Sequence, residues 1–154
     1  MKLHLIRHAK ASGYSATGND FDRELSPKGV RQATDLGHFL KDEIKHCPVS
    51  CSNAARTRQT LSIIGEQSSF SEINFLNDLY LCSKEKYLEQ LWQFEGDNDL
   101  VMVGHNFGIS DVASYLTDEL IEMRTSEYVC ILFEDMTWSE TSKGMGKKIN
   151  QYRP

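Results

Sequence analysis

The chain has 154 residues, 40% of them hydrophobic and 25% charged, and a formal net charge of −5 from 17 Lys/Arg and 22 Asp/Glu. That length suits one domain over residues 1–154, and the apolar content suffices for one core. The acidic balance leaves a nucleic-acid partner without an electrostatic footprint. No apolar run nears the length that spans a bilayer, and no secretory or lipidation pattern is visible, so a cytoplasmic protein without a membrane partner is expected. Cys47 and Cys51 stand close together, but no second Cys/His pair at finger spacing accompanies them. All four cysteines (with Cys82 and Cys130) are therefore expected to be reduced thiols rather than metal ligands.

Lys2 to Arg7 is a short apolar run with strand character that stops at Arg7-His8. A polar stretch from Ala9 to Leu25 follows, and an irregular connection of that length inside a compact domain is usually functional. Ser26-Pro27 opens a helix, with Ser at the N-cap and Pro at the first helical position. Val30, Ala33, Leu36, Phe39, Leu40 and Ile44 recur at helical spacing and predict its core face. Pro48 to Ser52 reads as a strand, Ala54 to about Glu66 as a helix, and Ile73 to Leu76 as a third strand. Ser83 caps a helix carrying Tyr87, Leu88, Leu91, Trp92 and Phe94, a stripe read as core and ended by the acidic turn Glu95 to Asp99. Leu100 to Gly104 is a continuous apolar run of the kind buried on both faces of a sheet. A helix from Asn106 to Leu116, a strand from Tyr128 to Phe133 and a short hairpin turning near Gly144 and Gly146 complete the chain. Strands alternating with helices predict an α/β fold, a three-layer α/β/α sandwich with a mostly parallel central sheet.

In such sheets ligands bind beyond the carboxyl ends of the strands. That rule selects three segments: Arg7-His8, Ser52 to Arg56, and Gly104-His105-Asn106. Arg7-His8 alone is more often a surface or hydrogen-bonding feature, but the three together form a combination that phosphoryl transfer requires. A phosphoryl group in flight spreads charge over three oxygens, so catalysis is mainly positioning and electrostatic stabilisation. Arginine forks match those oxygens and never lose their charge. A neutral imidazole can attack phosphorus and form a phosphohistidine that water later hydrolyses.

Leu5-Ile6-Arg7-His8-Ala9-Lys10 resembles the signature of the histidine phosphatases, in an RHA rather than RHG form. Leu25 to Ala33 is similar to the family's L-T-x-x-G-x-x-Q-A segment, Ser52 to Thr60 to its S-x-x-x-R-A-x-Q-T helix, and Val103 to Asn106 to its second-histidine motif. The match runs from Leu3 to Leu116 in the family's order. The short chain and the segment Asp20 to Leu25 resemble the SixA-type phosphohistidine phosphatases in particular. The resemblance implies a phosphoglycerate mutase-like fold, His8 as nucleophile, and Arg7, Arg56 and His105 as phosphate ligands. Arg23 and Asn106 are further candidates for substrate binding, and no metal or organic cofactor is implied. Two departures stand out: Phe107 replaces a frequent Pro, and Tyr14 stands where the sugar-phosphate mutases carry a phosphate-binding Asn. The glutamate general acid of larger relatives has no clear counterpart among Glu72, Asp78 and Glu85, of which Asp78 is the best placed.

The expected activity is hydrolysis of phosphohistidine on a partner protein, with a small phosphate ester as the alternative substrate and a monomer as the expected state. A phosphate-binding module without activity is disfavoured because both histidines and both arginines are present. A mutase is disfavoured because the chain has no insertion from which to build a lid. His4, His38 and His46 are read as structural or solvated.

Overall fold

The computed structural model describes residues 1–154. Six strands form one sheet: β1 (Lys2–Arg7), β2 (Lys45–Ser52), β3 (Ser69–Leu76), β4 (Leu100–Gly104), β5 (Tyr128–Leu132) and β6 (Lys147–Tyr152). Their order is β3-β2-β4-β1-β5-β6. β1, β2, β3 and β4 pair in parallel, and only β5 runs against its neighbours, so the sheet is mostly parallel. Four helices cover it: α1 (Pro27–Leu40), α2 (Ala55–Ile64), α3 (Lys84–Trp92) and α4 (Gly108–Thr117).

Alternation along each strand builds two cores. Leu3 and Leu5 of β1, Leu100 and Met102 of β4, and Val129 and Ile131 of β5 pack against α3 and α4. The intervening Ile6, Val101, Val103 and Tyr128 pack, with Val49 and Cys51 of β2, against α1 and α2. With helices on both faces, β4 has nowhere to expose a side chain, which is why its sequence is apolar without interruption.

Several boundaries differ from the sequence expectation. α1 stops at Leu40, so Ile44 reaches the core from the turn that follows the helix. Val30 is exposed, because Gly29 and Ala33 face inward on the first turns of α1. β2 begins at Lys45 and β3 at Ser69, both before the expected starts. α4 begins only at Gly108. The C-terminal hairpin is not formed. Trp138–Glu140 makes a short 3-10 turn, and the chain then returns as β6 to pair with β5, whose outer edge would otherwise be unpaired. The four cysteines are free, and Cys47, Cys51 and Cys130 are buried.

Register decides where the chemistry sits. Arg7 pairs level with Gly104 across β1 and β4, and Cys51 pairs level with Val103 across β2 and β4. The first residues past β1 and β4, His8 and His105, therefore emerge side by side, with Ser52 of β2 one level below them beside Gly104. Gly104 is required at this level. A Cβ there would overlap the Tyr87 hydroxyl, which accepts the His105 backbone N–H at 3.1 Å. Gly104→Ala should cost about 1–3 kcal/mol through overpacking, measured by urea unfolding. The cost should shrink in a Tyr87→Phe background; an unchanged cost would show that the clash lies elsewhere.

Candidate active site

The loop after β1 is braced from several sides. The His8 N–H donates to the Gly104 carbonyl at 3.0 Å, and the His8 carbonyl accepts from Ser126 N–H at 3.0 Å. Ala9 N–H donates to Thr60 Oγ1 at 3.0 Å, and Lys10 N–H donates to Gln32 Oε1 at 3.1 Å. Ser26 caps α1 by accepting from Gly29 N–H at 3.1 Å, and its own hydroxyl donates to the Lys10 carbonyl at 3.0 Å. A side chain at Gly29 would overlap that same carbonyl. Gln59 Oε1 accepts from Leu25 N–H at 2.7 Å. Ser26, Gly29, Gln32, Gln59 and Thr60 thus hold the loop rather than touch a substrate.

Beyond the strand ends lies a cavity of about 320 Å³ lined by Arg7, His8, Lys10, Asp20, Arg23, Arg56, Leu81, His105, Asn106 and Thr125, with Ala11 at its edge. His8 is nine-tenths buried. Its Nδ1 lies 2.8 Å from the Ala9 carbonyl. A carbonyl can only accept, so Nδ1 carries the proton and Nε2 keeps its lone pair. Burial, with Arg56, Arg7 and Arg23 nearby, brings the His8 pKa down to about 4. The ring is neutral at physiological pH, as a nucleophile must be.

His105 lies with its ring centroid 5.0 Å from that of His8. Its Nε2 is 2.8 Å from Ser52 Oγ. Nδ1 is buried and has no partner. The Ser52 hydroxyl has no other acceptor, so it donates to Nε2 and leaves Nδ1–H as an unused donor. Burial, then the neighbouring His8 and Arg56, lowers this pKa to about 2. A buried donor without an acceptor is costly, and it suits a ligand oxygen.

Arg56, only 3% exposed, donates from Nη1 to the Asp20 carbonyl at 2.8 Å and from Nη2 to Asp20 Oδ2 at 3.1 Å. Arg23 donates from Nη1 to Asp20 Oδ1 at 2.7 Å and from Nε to the Ser12 carbonyl at 2.7 Å. The Tyr80 hydroxyl donates to Asp20 Oδ2 at 2.5 Å. These donors, Tyr80 first and Arg23 next, hold the Asp20 carboxyl well below the usual carboxylate range. Arg7 donates from Nη1 to the Met123 carbonyl at 2.9 Å, and its buried Nε has no partner. Asn106 donates to the same carbonyl at 3.0 Å and accepts from Ser110 Oγ at 2.7 Å.

The structure therefore brings Arg7, His8, Arg23, Arg56, His105 and Asn106 to one cavity. Asp78 stays exposed on the 3-10 turn Asn77–Leu79 and does not line it. His4 is buried in the sheet with Nδ1 2.8 Å from the Tyr128 hydroxyl. Nowhere do three or more His, Cys, Asp or Glu side chains gather as a metal-binding group. Sequence reasoning missed the roles of Asp20 and Tyr80, and it read Ser52 only as part of a motif, without its bond to His105. Only the segment Asp20 to Leu25, which also carries Arg23, hinted at the first.

Residues 3–80 match the model of the histidine phosphatase superfamily, branch 1. The chain belongs to that superfamily. A Nakamurella multipartitia protein, provisionally named phosphohistidine phosphatase SixA, superposes with a TM-score of 0.86 at 27% identity, covering 99% of this chain and 95% of that one. The protein histidine phosphatase SixA solved with tungstate superposes at 0.83 with 20% identity, over 98% and 96% of the two chains. The alpha-ribazole phosphatase of Shigella flexneri, at 14% identity, shares the fold with a TM-score of 0.69 over 96% of each chain. The protein is a phosphatase, a hydrolase of the SixA-like group with a phosphoglycerate mutase-like fold.

Three measurements probe this site in the phosphatase. The His8 ring should titrate near pH 4 by NMR, and a midpoint at or above 6 would contradict the buried, arginine-flanked setting. Because folding lowers the pKa of His8, His105 and His4, the unfolded chain binds more protons below pH 6.5. Stability should therefore fall as pH drops from 6.5 toward 4. Asp20→Asn keeps an acceptor for Arg23 and Arg56 but removes a half-exposed negative charge. It should tighten inorganic phosphate binding roughly threefold to tenfold, a gain limited by solvent screening. Weaker binding would show that the charge orients the guanidiniums more than it repels the anion.

Proposed function

We propose that this phosphatase removes the phosphoryl group from phosphohistidine on another protein. His8 Nε2 attacks phosphorus, the bond from phosphorus to the substrate imidazole breaks, and water then cleaves the His8–phosphoryl bond to release inorganic phosphate. Arg7, Arg56 and the His105 Nδ1–H bind the three oxygens on which charge accumulates. Arg23 and Lys10 add positive charge at the rim. Cationic side chains supply the neutralisation, so activity should persist in EDTA.

The observation that carries the choice of substrate is Asp20. It is the only carboxyl lining the cavity, and three donors hold it ionised. It has no proton to give. An alkoxide leaves poorly without a general acid. An imidazole, with an ordinary pKa of about 6.5, takes up its own proton near neutral pH. Transfer from a substrate imidazole to the His8 imidazole also exchanges like for like, so the first step is close to thermoneutral.

The decisive comparison is kcat/KM for a phosphohistidine-bearing protein against sugar phosphates. The former should exceed the latter by roughly a hundredfold or more, each factor of ten being about 1.4 kcal/mol of barrier. A preference for an alkyl phosphate would instead establish a small-ester phosphatase. His8→Ala should abolish turnover and the labelled phosphoenzyme together. Arg56→Ala should lower kcat by about 10²–10³, as loss of an oxyanion donor does. Arg56→Lys should recover little, since a point charge cannot replace the fork.

A further inference from the structure

Beside the phosphoryl cavity lies a second, wider one of about 600 Å³. The two share Arg7 and Asn106 as a common wall. The floor of the second is apolar and buried, formed by Ile121 and Met123. Its lip carries Leu120 and Phe107, which are 89% and 81% exposed. Leu81, 54% exposed, stands at the phosphoryl cavity itself. Phe107 and Leu120 line one cavity together, and exposed apolar side chains grouped in this way mark interaction surfaces.

Charge is distributed just as unevenly. Seven of the 17 Lys/Arg side chains line the two cavities: Arg7, Lys10, Arg23, Arg56, Arg124, Lys148 and Arg153. Only Asp20, Asp111 and Glu122 among the 22 carboxylates do so. Arg153 is tied to Glu127 and Lys148 to Glu119, whereas Arg124 makes no ion pair. A protein with a net charge of −5 thus surrounds its reactive pocket with cations and adds a protruding apolar lip on one side.

We propose that the groove formed by Phe107, Leu120, Ile121, Met123 and Arg124 is the docking surface for the protein that carries the phosphohistidine, and that it selects an apolar patch flanked by carboxylates. The proposal rests on the phosphohistidine reading above. A small phosphate ester fills the inner cavity and leaves Leu120 and Phe107 in water, whereas a protein surface covers both while its phosphohistidine enters past Arg7. The unpaired Arg124 then meets a partner carboxylate. A lipid surface is the poorer occupant, because a flat membrane over the lip would close the catalytic mouth.

The test uses two matched phosphohistidine peptides, one with Leu and Glu flanking the phosphorylated residue and one with Ser and Lys. The wild-type enzyme should prefer the first by about tenfold or more in kcat/KM, carried by KM and weakened by salt. Leu120→Ser and Arg124→Glu should each erase most of that preference while leaving hydrolysis of free phosphohistidine within about twofold, as removal of a docking contact remote from the reacting atoms does. Equal turnover of both peptides by the wild type would overturn the docking surface and leave the phosphohistidine activity standing. A parallel loss on free phosphohistidine would overturn it too, as would peptide indifference with cosedimentation on anionic vesicles that Leu120→Ser abolishes. If neither peptide outpaces a sugar phosphate, the substrate reading itself fails, and the docking surface falls with it.

Discussion

Positive charge has been concentrated here where it is expensive to keep. Arg56 is almost wholly buried, Arg7 is half-buried, and two imidazoles are packed between them. Desolvation and the arginine field together keep both rings neutral. That constraint settles the division of labour. His8, with Nδ1–H fixed on the Ala9 carbonyl, has only a lone pair to offer. His105, with Nε2 facing the Ser52 hydroxyl, has only a proton to offer. The same field that would hold a phosphate keeps the His8 lone pair free.

Asp20 is the one carboxylate lining the cavity that answers this charge, and an incomplete answer. Its carboxylate joins Arg23, Arg56 and Tyr80, so the loop between Ala9 and Leu25 is pinned to the cavity wall. The buried Arg7 Nε and His105 Nδ1 are left without acceptors. A ligand with several oxygens satisfies what a single carboxylate cannot reach. The walls of the site are thus held in shape by the protein's own side chains.

The parts of this arrangement that were legible in the sequence are those set by short range and by strand ends. Arg7-His8 and Gly104-His105 could be read because each follows a buried apolar strand, and a parallel sheet brings such ends together. Arg56 was legible as a cation on the first turn of a helix behind a third strand. Asp20 was not, because its partners Arg56 and Tyr80 are 36 and 60 residues away and nothing local aims it at them. Ser52 was read as part of a motif, but its hydrogen bond to His105 exists only through the register of β2 and β4. Val30 failed for a related reason. It fits the helical period, yet close approach of α1 to the Lys10 loop turns Gly29 inward and Val30 out. The C-terminal hairpin failed because Gly144 and Gly146 signal turns without saying which strand the following segment will pair with.

The motif residues that never touch the cavity explain why the family signature is longer than its chemistry. Gln32 and Thr60 bind the backbone of the first loop, and Ser26 and Gly29 let α1 approach it. An in-line attack tolerates little misplacement, since a shift of about 1 Å can cost a hundredfold in rate. The loop that carries His8 beyond its strand keeps only a few backbone pairings, His8 with Gly104 and the bridge between Ala11 and Leu25. The polar motif residues supplement that sparse ladder, each taking one backbone N–H or carbonyl of Ala9, Lys10 or Leu25. A Gln or Thr can do this because its side chain ends in a hydrogen-bonding group at a fixed reach, whereas an apolar residue of equal size would pack as well and leave the loop unanchored.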